Sequence, residues 1–311
     1  MVLIAGSINL DFVVRAQRIP APGETVLGRE VQTFPGGKGA NQAVACKRAG
    51  GSRTSIALAL GHDAYGQTLK TSLRNADVLV HAQEFDDIAS GTAFICVSDD
   101  AENAITVAPG ANARLLAAHL PPLDGFQFLL MQLEIPLDTV TESARLARAA
   151  GLRVALNAAP AQVLPLDLLA MVDLLIVNEG ELRTITQKQG SIVDAINALP
   201  CQAVVVTLGV RGAVAREDVN LHYQCGFAVE AIDTTGAGDT FCGVLIARLA
   251  AGQTMPQALQ FANAAAALAC TKLGAQPSVP AASEVHAFLA RSTSSDTQAQ
   301  LALQRYCQAL V

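Results

Sequence analysis

The segment Asp233–Asp239, D-T-T-G-A-G-D, places glycines and carboxylates directly before an apolar stretch that has the pattern of a helix. Glycines permit a tight turn, and the free backbone N–H groups at a helix start attract anions such as phosphate. Asp239 would lie in the first helical turn, where a carboxylate can accept a hydroxyl proton during phosphoryl transfer. We therefore predict a catalytic base, Asp239, beside an anion hole at residues 236–238. The alternative, a glycine turn whose Asp only caps a helix, stays open on this segment alone.

Two further motifs offer polar groups to a small hydroxylated ligand. Pro35–Ala43, P-G-G-K-G-A-N-Q-A, is neither a Walker loop nor a dinucleotide fingerprint, but Lys38 and Asn41 within it can donate to hydroxyl oxygens. Asn9 and Asp11 stand two residues apart after the first apolar run, so their side chains point to the same side. Asp11 only accepts hydrogen bonds and suits a vicinal diol, whereas Asn9 can donate and accept. A turn-forming Asn and a surface Asp are the alternative interpretation.

Polar residues also follow three later apolar runs. Glu134 follows one, Asn178 and Glu181 follow another, and Thr207–Gly212 offers a glycine turn with one hydroxyl. In parallel sheets, ligands bind beyond the carboxyl ends of the strands, so these positions are candidates for ligand contacts. Helix capping would equally place carboxylates there, and the glycine turn could either hold a nucleotide or begin a hairpin.

The charge balance argues against nucleic acid or membrane as a partner. Of 311 residues 15% are charged, the formal net charge is −6, and Lys and Arg form no cluster. Proteins that bind a phosphate backbone need clustered basic residues. No uncharged apolar run reaches the ~18 residues of a membrane span, since Arg248 interrupts the longest candidate.

Cysteine and histidine usage argues against a protein-bound zinc ion or a disulfide framework. The seven cysteines are scattered, odd in number and never spaced as C-x-x-C, and the five histidines share no metal-ligand spacing. Free cysteines fit a reducing compartment, and Val2–Gly6 resembles a first strand more than a signal peptide. We therefore expect a cytoplasmic protein.

The elements that would position these residues alternate between strands and helices. Helical spacing covers Leu137–Ala150 and Ile192–Leu199. The apolar runs predicted as buried strands are Val2–Ala5, Ser55–Leu60, Phe128–Leu133, Val154–Leu156, Leu174–Val177 and Val204–Leu208. This order predicts an α/β fold with three layers, in which a doubly wound, mostly parallel sheet is covered by helices on both faces.

Two segments break the alternation, at about 11–35 and 91–109. Each has β-prone residues around a proline or polar turn and lacks a crossover helix, so both are predicted hairpins. They would form a small antiparallel β lid over the site, although hairpins that only decorate the core are the alternative. Residues 291–311 are a separate tail: a polar linker, Arg291–Thr297, precedes a short amphipathic helix at Leu301–Val311.

Taken in order, the motifs closely resemble the PfkB-type (ribokinase-like) sugar kinases, from the first strand to about Leu289. The matching segments are G-S-I-N-L-D at 6–11, P-G-E-T-V at 22–26, P-G-G-K-G-A-N-Q-A at 35–43, M-Q-L-E at 131–134, N-E-G-E at 178–181, T-L-G-V-R-G at 207–212, D-T-T-G-A-G-D-T-F at 233–241 and G-A-Q-P-S-V-P at 274–280. Each segment is a weak signal, but their order along one chain is specific. The tail beyond about residue 290 matches nothing in the family.

The resemblance implies a role for each matching residue. Asp239 would be the catalytic base, with Gly236, Ala237 and Gly238 as the anion hole. The implied sugar-binding residues are Asn9, Asp11, Gly37, Lys38, Asn41 and Glu134. The implied nucleotide contacts are Asn178, Thr207, Gly209, Gly212 and Asn263, and Asn178 with Glu181 would serve Mg²⁺ and phosphate. An activating K⁺ would be held, mainly by backbone carbonyls, at Asp233, Thr235, Ala269, Lys272, Gly274 and Ser278.

The resemblance also implies the reaction, which is ATP-dependent phosphorylation of a sugar hydroxyl, with the lid as a dimer contact. The 5-hydroxyl of D-ribose is favoured, and 2-deoxyribose, fructose or a nucleoside are alternative acceptors. Two other classes remain: a non-catalytic sugar or nucleotide sensor, and, less favoured, an NAD-dependent oxidoreductase, since no G-x-G-x-x-G follows the first strand.

Overall fold

A nine-stranded sheet runs through the protein, and a separate four-stranded sheet stands beside it. The computed structural model describes residues 1–100, 103–187, 190–292 and 297–309. The strands are β1 (Val2–Ala5), β2 (Asn9–Ala16), β3 (Gly28–Gly36), β4 (Thr54–Gly61), β5 (Leu79–Phe85), β6 (Gly91–Val97), β7 (Asn103–Ala108), β8 (Phe128–Met131), β9 (Arg153–Asn157), β10 (Leu174–Asn178), β11 (Ala203–Thr207), β12 (Gly212–Glu217) and β13 (Asn220–Cys225). The helices are α1 (Lys38–Arg48), α2 (Ala64–Asn75), α3 (Leu137–Ala149), α4 (Leu166–Met171), α5 (Glu179–Thr186), α6 (Ile192–Asn197), α7 (Ala237–Ala250), α8 (Met255–Ala269), α9 (Ala282–Arg291) and α10 (Thr297–Gln308).

The large sheet has the strand order β13-β12-β11-β10-β9-β8-β1-β4-β5. The strands from β11 to β5 pair in parallel, and β12 and β13 add an antiparallel edge. Parallel strands in the middle of such a sheet are apolar throughout, because both faces are covered. Strand β1 illustrates this, since all four of its residues are fully buried. The predicted fold class is therefore confirmed.

Successive residues of β1 enter two different cores, one on each face of the sheet. Val2 and Ile4 pack in a core that includes residues of α1, α2, α7 and α8, and Leu3 and Ala5 pack in a core that includes residues of α3 to α6. The alternation of side chains along a strand makes this division unavoidable once helices cover both faces. In the described part of the chain, no helix is long and apolar enough to cross a bilayer.

The small sheet consists of the two predicted hairpins. β2 pairs antiparallel with β3, and β6 pairs antiparallel with β7, so both hairpins form where the turn residues indicate them. The strands β2 and β6 then pair in parallel with each other, which joins the hairpins into one four-stranded lid. This long-range pairing has no local sequence signal. Residues 101 and 102, within the second predicted hairpin, lie outside the described residues.

The predicted and observed elements differ at a few boundaries. The run predicted to end at Leu133 leaves the sheet after Met131, because the Leu133 N–H donates to the carbonyl of Ala159 and not to a neighbouring strand. Strand β5 has no counterpart among the predicted runs, because it is a partly exposed edge strand with polar residues. The turn that begins at Thr207 does start a hairpin, β11–β12.

The C-terminal tail forms helix α10, which begins at Thr297, four residues before the predicted start. Residues 293–296 of the predicted linker, and residues 310 and 311, lie outside the described residues. Leu303 and Cys307 of α10 are buried, and the helix packs against α6 and β13. The helix is therefore docked on the main body.

Candidate active site

The proposed catalytic turn lies at the start of α7. Gly236 precedes the helix with φ +75°, and a Cβ there would come within 2.8 Å of Ala275, so only glycine fits this position. The N–H of Ala237 donates to the carbonyl of Thr234 at 3.2 Å. Among the described residues, the N–H groups of Gly238 and Asp239 have no acceptor. They supply free donors of the kind that stabilises an anion at a helix N-terminus.

Asp239 is buried in the first turn of α7, with both carboxylate oxygens held by amide side chains of α1. Asn41 Nδ2 donates to Oδ2 at 3.0 Å, and Gln42 Nε2 donates to Oδ1 at 3.0 Å. Helix α1 thus fixes the carboxylate before any ligand arrives. Fixed orientation is what a general base needs in order to meet a hydroxyl proton.

The residues that position Gln42 are absent from the sequence prediction. Gln132 Nε2 donates to Gln42 Oε1 at 2.7 Å, and Gln42 Nε2 also lies 2.9 Å from Asn157 Oδ1. Gln42 and Asn41 are adjacent on a helix, and adjacent residues do not normally face one group. The longer Gln side chain makes their convergence possible. Asn157 had a usable signal, because it is a polar residue at the end of a buried strand.

On the lid side, Asn9 and Asp11 occupy the beginning of β2. Asn112 Nδ2 donates to Asn9 Oδ1 at 2.8 Å, which leaves the Asn9 amide nitrogen to donate elsewhere. Asp11 packs against Gly36, where a Cβ would lie only 1.9 Å from Asp11 Oδ2. A larger residue at position 36 would displace the Asp11 carboxylate, which lies directly on the backbone of the neighbouring strand.

Glu134 anchors the start of α1. Its Oε2 accepts from the hydroxyl of Ser7 at 2.6 Å and from the N–H of Lys38 at 3.1 Å. Gly37 precedes the helix with φ +87°, a backbone conformation that favours glycine. A carboxylate at a helix N-terminus interacts favourably with the helix dipole. The second oxygen of Glu134 remains for a ligand.

Several acceptor oxygens in this region are buried without a partner among the described residues. They include Oδ1 of Asp11 and Oδ1 of Asn41. A buried acceptor that receives no hydrogen bond costs ~1–3 kcal/mol, so such groups in native proteins require an explanation. A ligand that carries several hydroxyl groups would satisfy both oxygens.

Negative charges dominate the electrostatics of the site. Burial, followed by the charges of Glu134 and Asp239, raises the pKa of Asp11 to about 7. Lys38 is the nearby cation, and the charge of Asp239 is the main cause that raises its pKa, so it remains protonated. The sugar-side pocket therefore combines one firm positive charge with a carboxyl group that titrates near neutral pH.

A cavity of about 800 Å³ opens on the other side of the anion hole. Its lining includes all five predicted nucleotide contacts, Asn178, Thr207, Gly209, Gly212 and Asn263, together with Gly238 of the anion hole. The volume falls in the ~300–1,000 Å³ range of small-molecule sites. A smaller cavity of about 160 Å³ adjoins it, shares Asn178, Thr207 and Gly238 with it, and contacts Lys38 and Asp239.

Part of the cavity wall is apolar and was not predicted. Phe227, Val229 and Ala231 come from the segment after β13, and Phe241 and Ala266 come from α7 and α8. This segment forms neither helix nor strand, so no periodic pattern marks it in the sequence. Flat apolar walls are suited to an aromatic base, whereas the glycine turns are suited to phosphates.

Asn178 and Glu181 form a reciprocal cap at the start of α5. The Glu181 N–H donates to Asn178 Oδ1 at 2.8 Å, and the Asn178 N–H donates to Glu181 Oε2 at 2.7 Å. The two residues therefore do cap the helix, as the alternative interpretation predicted. They also line the smaller cavity. Burial is the main cause that raises the pKa of Glu181, opposed by the Asn178 hydrogen bond and the charge of Lys38. In the described ranges, no cluster of three His, Cys, Asp or Glu groups could hold a metal ion.

Five of the six residues predicted for K⁺ lie on the loops behind the anion hole, and the structure joins some of them. Asp233 accepts from the N–H of Thr235 at 2.9 Å and from the N–H of Gly274 at 2.8 Å. Burial alone would raise the pKa of Asp233, but these hydrogen bonds outweigh it and lower the pKa. The ammonium of Lys272 pairs with Glu284 at 3.0 Å. Any contact of Lys272 with a cation would therefore be made by its backbone carbonyl oxygen.

The other two predicted K⁺ residues also present oxygen atoms. Ala269 is the last residue of α8, and its carbonyl accepts from the Lys272 N–H at 3.1 Å. Ser278 is fully buried and donates to the carbonyl of Ala275 at 2.8 Å. An oxygen-rich set beside a firmly ionised carboxylate is chemically suited to a hard monovalent cation.

Comparison with known proteins finds similar sequences and structures among carbohydrate kinases. The profile of pfkB family carbohydrate kinases matches residues 1–282. Ribokinase from Haemophilus influenzae is 37% identical over 298 residues, with 92% of this chain and 97% of that protein covered. The structure of Thermotoga maritima ribokinase superposes with a TM-score of 0.87 at 33% identity and covers 94% of this chain and 99% of that one. Arabidopsis thaliana ribokinase, solved with ribose and ATP, gives a TM-score of 0.85 at 30% identity, with the same coverage. The chain belongs to the pfkB family of carbohydrate kinases.

Proposed function

We propose that this protein transfers the γ-phosphoryl group of ATP to the 5-hydroxyl of D-ribose, giving ribose 5-phosphate. The observation that carries the proposal is the position of Asp239. Its carboxylate lines the small cavity that adjoins the nucleotide-sized cavity, and it is hydrogen-bonded to Asn41 on the sugar side. Similarity to proteins named ribokinase, one of them solved with ribose and ATP, supports the choice of acceptor.

In the proposed reaction, Asp239 accepts the proton of the sugar hydroxyl while that oxygen attacks the γ-phosphorus in line with the leaving ADP. The free N–H groups of Gly238 and Asp239 stabilise the equatorial oxygens of the transferring group. Lys38 supplies a positive charge beside the same cavity. The amides of Asn41 and Gln42 keep the carboxylate aimed at the hydroxyl throughout.

The sugar would lie under the lid, between β2 and the start of α1. Asp11 and Asn41 each offer an unpartnered acceptor oxygen to ring hydroxyls. Asn9 offers its amide nitrogen and Glu134 its second oxygen. The backbone at Gly37 allows the sugar to approach the helix start closely. A ligand with hydroxyls on several sides satisfies these groups better than an apolar one.

ATP-dependent kinases use a divalent cation with the nucleotide, and we propose Mg²⁺ here. Bound with the nucleotide, such a cation would supply positive charge against the negative charge that develops during transfer. Glu181 and Asn178 would hold it through the phosphates and bound water, since Mg²⁺ is commonly bound by one or two carboxylates plus substrate phosphates. Their place on the small cavity fits this role.

We also propose that K⁺ activates the protein by ordering the loop before α7. The carboxylate of Asp233 links residues 233–235 to Gly274, so an ion held there would stiffen the turn that carries the anion hole. The ion would not contact the substrate. Carbonyl oxygens of Thr235, Ala269, Lys272 and Gly274, with Ser278, complete the proposed site.

One assay tests the reaction and its cation. The purified protein is incubated with ATP, Mg²⁺ and ribose, 2-deoxyribose, fructose or nucleosides, with K⁺ or Na⁺, and ADP release is measured. We expect ribose to give the highest kcat/KM and K⁺ to raise kcat. ADP at background for every acceptor would favour a non-catalytic sensor. Equal rates in Na⁺ and K⁺ would remove the monovalent site and leave the kinase assignment intact.

The lid hairpins, at about 11–35 and 91–109, are proposed inserts in a kinase domain of residues 1–290, and we propose that they pair two chains. Five of their large apolar side chains are exposed: Leu27, Val31, Phe94, Ile105 and Val107. By the strand register, Val31 and Phe94 lie on one face of the small sheet, and Ile105 and Val107 lie on the other. Exposed apolar side chains of this kind are typical of interaction surfaces. Light scattering should give twice the 32.2 kDa chain mass. A single-chain mass at micromolar concentration would contradict the pairing.

A further inference from the structure

Helix α10 lies beyond residue 282, where the match to the family profile ends, yet one of its side chains contacts Glu179, a residue that lines the nucleotide cavity. Tyr306 Oη donates to Glu179 Oε1 at 2.5 Å and accepts from Arg211 Nη2 at 2.8 Å. The guanidinium of Arg211 also stacks over the Tyr306 ring, 4.1 Å from its centroid. We call this three-residue arrangement the Tyr306 bridge.

The two residues that Tyr306 contacts belong to two segments that follow the neighbouring strands β10 and β11 and contribute lining residues to the cavity. Glu179 lines the cavity and begins α5, directly after Asn178. Arg211 lies in the short turn between Gly209 and Gly212, both of which also line the cavity. Without Tyr306, a single long contact of 3.5 Å between Arg211 and Glu179 joins these two side chains.

The base of the bridge is rigid because α10 is anchored in the core. Leu303 and Cys307, on the turns that flank Tyr306, are buried at 4% and 0% exposure. The turn that carries Arg211 is also constrained, since a Cβ at Gly212 would lie 2.0 Å from the carbonyl of Gln224. A tyrosine that is fixed at one end and hydrogen-bonded at the other can set the distance between the two segments.

We propose that α10 is a part of the nucleotide site that this chain has added to the family fold, and that Tyr306 is a positioning residue for ATP. The inference rests on the proposed function, because it assumes that the cavity holds the nucleotide. Tyr306 does not touch the reacting atoms. It holds the turn at 209–212 and the start of α5 at the separation that the nucleotide requires, so ATP meets a preorganised cavity.

The test compares two single-hydroxyl deletions, Tyr306→Phe and Tyr223→Phe. Tyr223 lies in β13, and its hydroxyl has no partner among the described residues, so it is a matched control. Calorimetry measures the Kd of ATP and of ribose, and steady-state kinetics give kcat and each KM. We expect Tyr306→Phe to raise the Kd and KM of ATP about fivefold, the lower end of coupling between distant groups. The Kd of ribose and kcat should change less than twofold.

A second measurement separates positioning from general stability. Hydrogen–deuterium exchange should rise in Tyr306→Phe at residues 178–182 and 207–212, and should stay at the parent level in β1 and α1. An ATP Kd equal to that of Tyr223→Phe would overturn the inference, whatever happens to the melting temperature. A parent protein that binds no ATP would instead refute the proposed function, so the two failures are distinguishable.

Discussion

Replacing Asp239 by asparagine is expected to lower kcat by about 10²- to 10⁴-fold, the usual contribution of a general base. The side chain keeps its shape, so the Kd of ATP and of ribose should remain within a few-fold of the parent values. The new amide meets a donor from Asn41 or Gln42, but Asn41 can rotate its own amide so that Oδ1 accepts from residue 239. The Asn41 Nδ2 group then faces the sugar, whose hydroxyls accept as well as donate. The variant should therefore fold.

The measurement is ADP release at saturating ATP and ribose, with binding followed by calorimetry. Asp124→Asn is the matched control, because Asp124 is an exposed turn residue with no role in the proposed site. Turnover of Asp239→Asn within tenfold of the parent would exclude Asp239 as the base. A parallel loss of ATP binding would point to a structural role for the carboxylate.

The second large effect is expected at Asp11, which should decide between ribose and 2-deoxyribose. A site that hydrogen-bonds a substrate hydroxyl with a buried acceptor rejects the analogue without that hydroxyl, because the acceptor is left unpaired. Asp11→Ala should lower kcat/KM for ribose by about 100-fold, since hydrogen bonds to a charged group contribute ~1.5–3 kcal/mol. The same change should reduce the preference for ribose over 2-deoxyribose to less than tenfold.

The matched control is Asp11→Asn, which keeps one acceptor oxygen and should lose less than Asp11→Ala. The comparison is made by measuring kcat/KM for both sugars with all three proteins. An unchanged ribose preference in Asp11→Ala would place the discrimination elsewhere, for example at Asn9 or Glu134.

The pKa of Asp11 also gives the site a predicted pH dependence. Burial and the charges of Glu134 and Asp239 raise this pKa to about 7, so below that pH the side chain is mostly protonated before the sugar binds. The ionised carboxylate is the stronger acceptor, because charge-assisted hydrogen bonds are roughly twice as strong as neutral ones. The Kd of ribose should therefore rise as the pH falls from 8 to 6. In Asp11→Asn this dependence should disappear.

Much of the fold was predictable because the strands are buried on both faces. Continuous apolar runs such as Val2–Ala5 mark the centre of a parallel sheet, and the polar residue after each run marks its ligand-binding edge. This is how Glu134, Asn178 and Thr207 became candidates. Strand β5 was not predicted, since an edge strand is partly exposed and its polar residues interrupt the apolar pattern. The apolar wall of the cavity was not predicted because the segment after β13 forms neither helix nor strand.

By itself, the sequence determined the order of most elements, the glycine turns before α1 and α7, and the identity of the groups that could do chemistry. These are local properties, set by residue type and by spacings of a few positions. The tertiary structure alone decided which of those groups meet. Asn41 and Gln42 reach Asp239 across nearly 200 positions of the chain. Tyr306 contacts Glu179 across 127 positions of the chain. No local sequence pattern predicts such contacts, because they form only when the sheet brings remote strand ends to one edge.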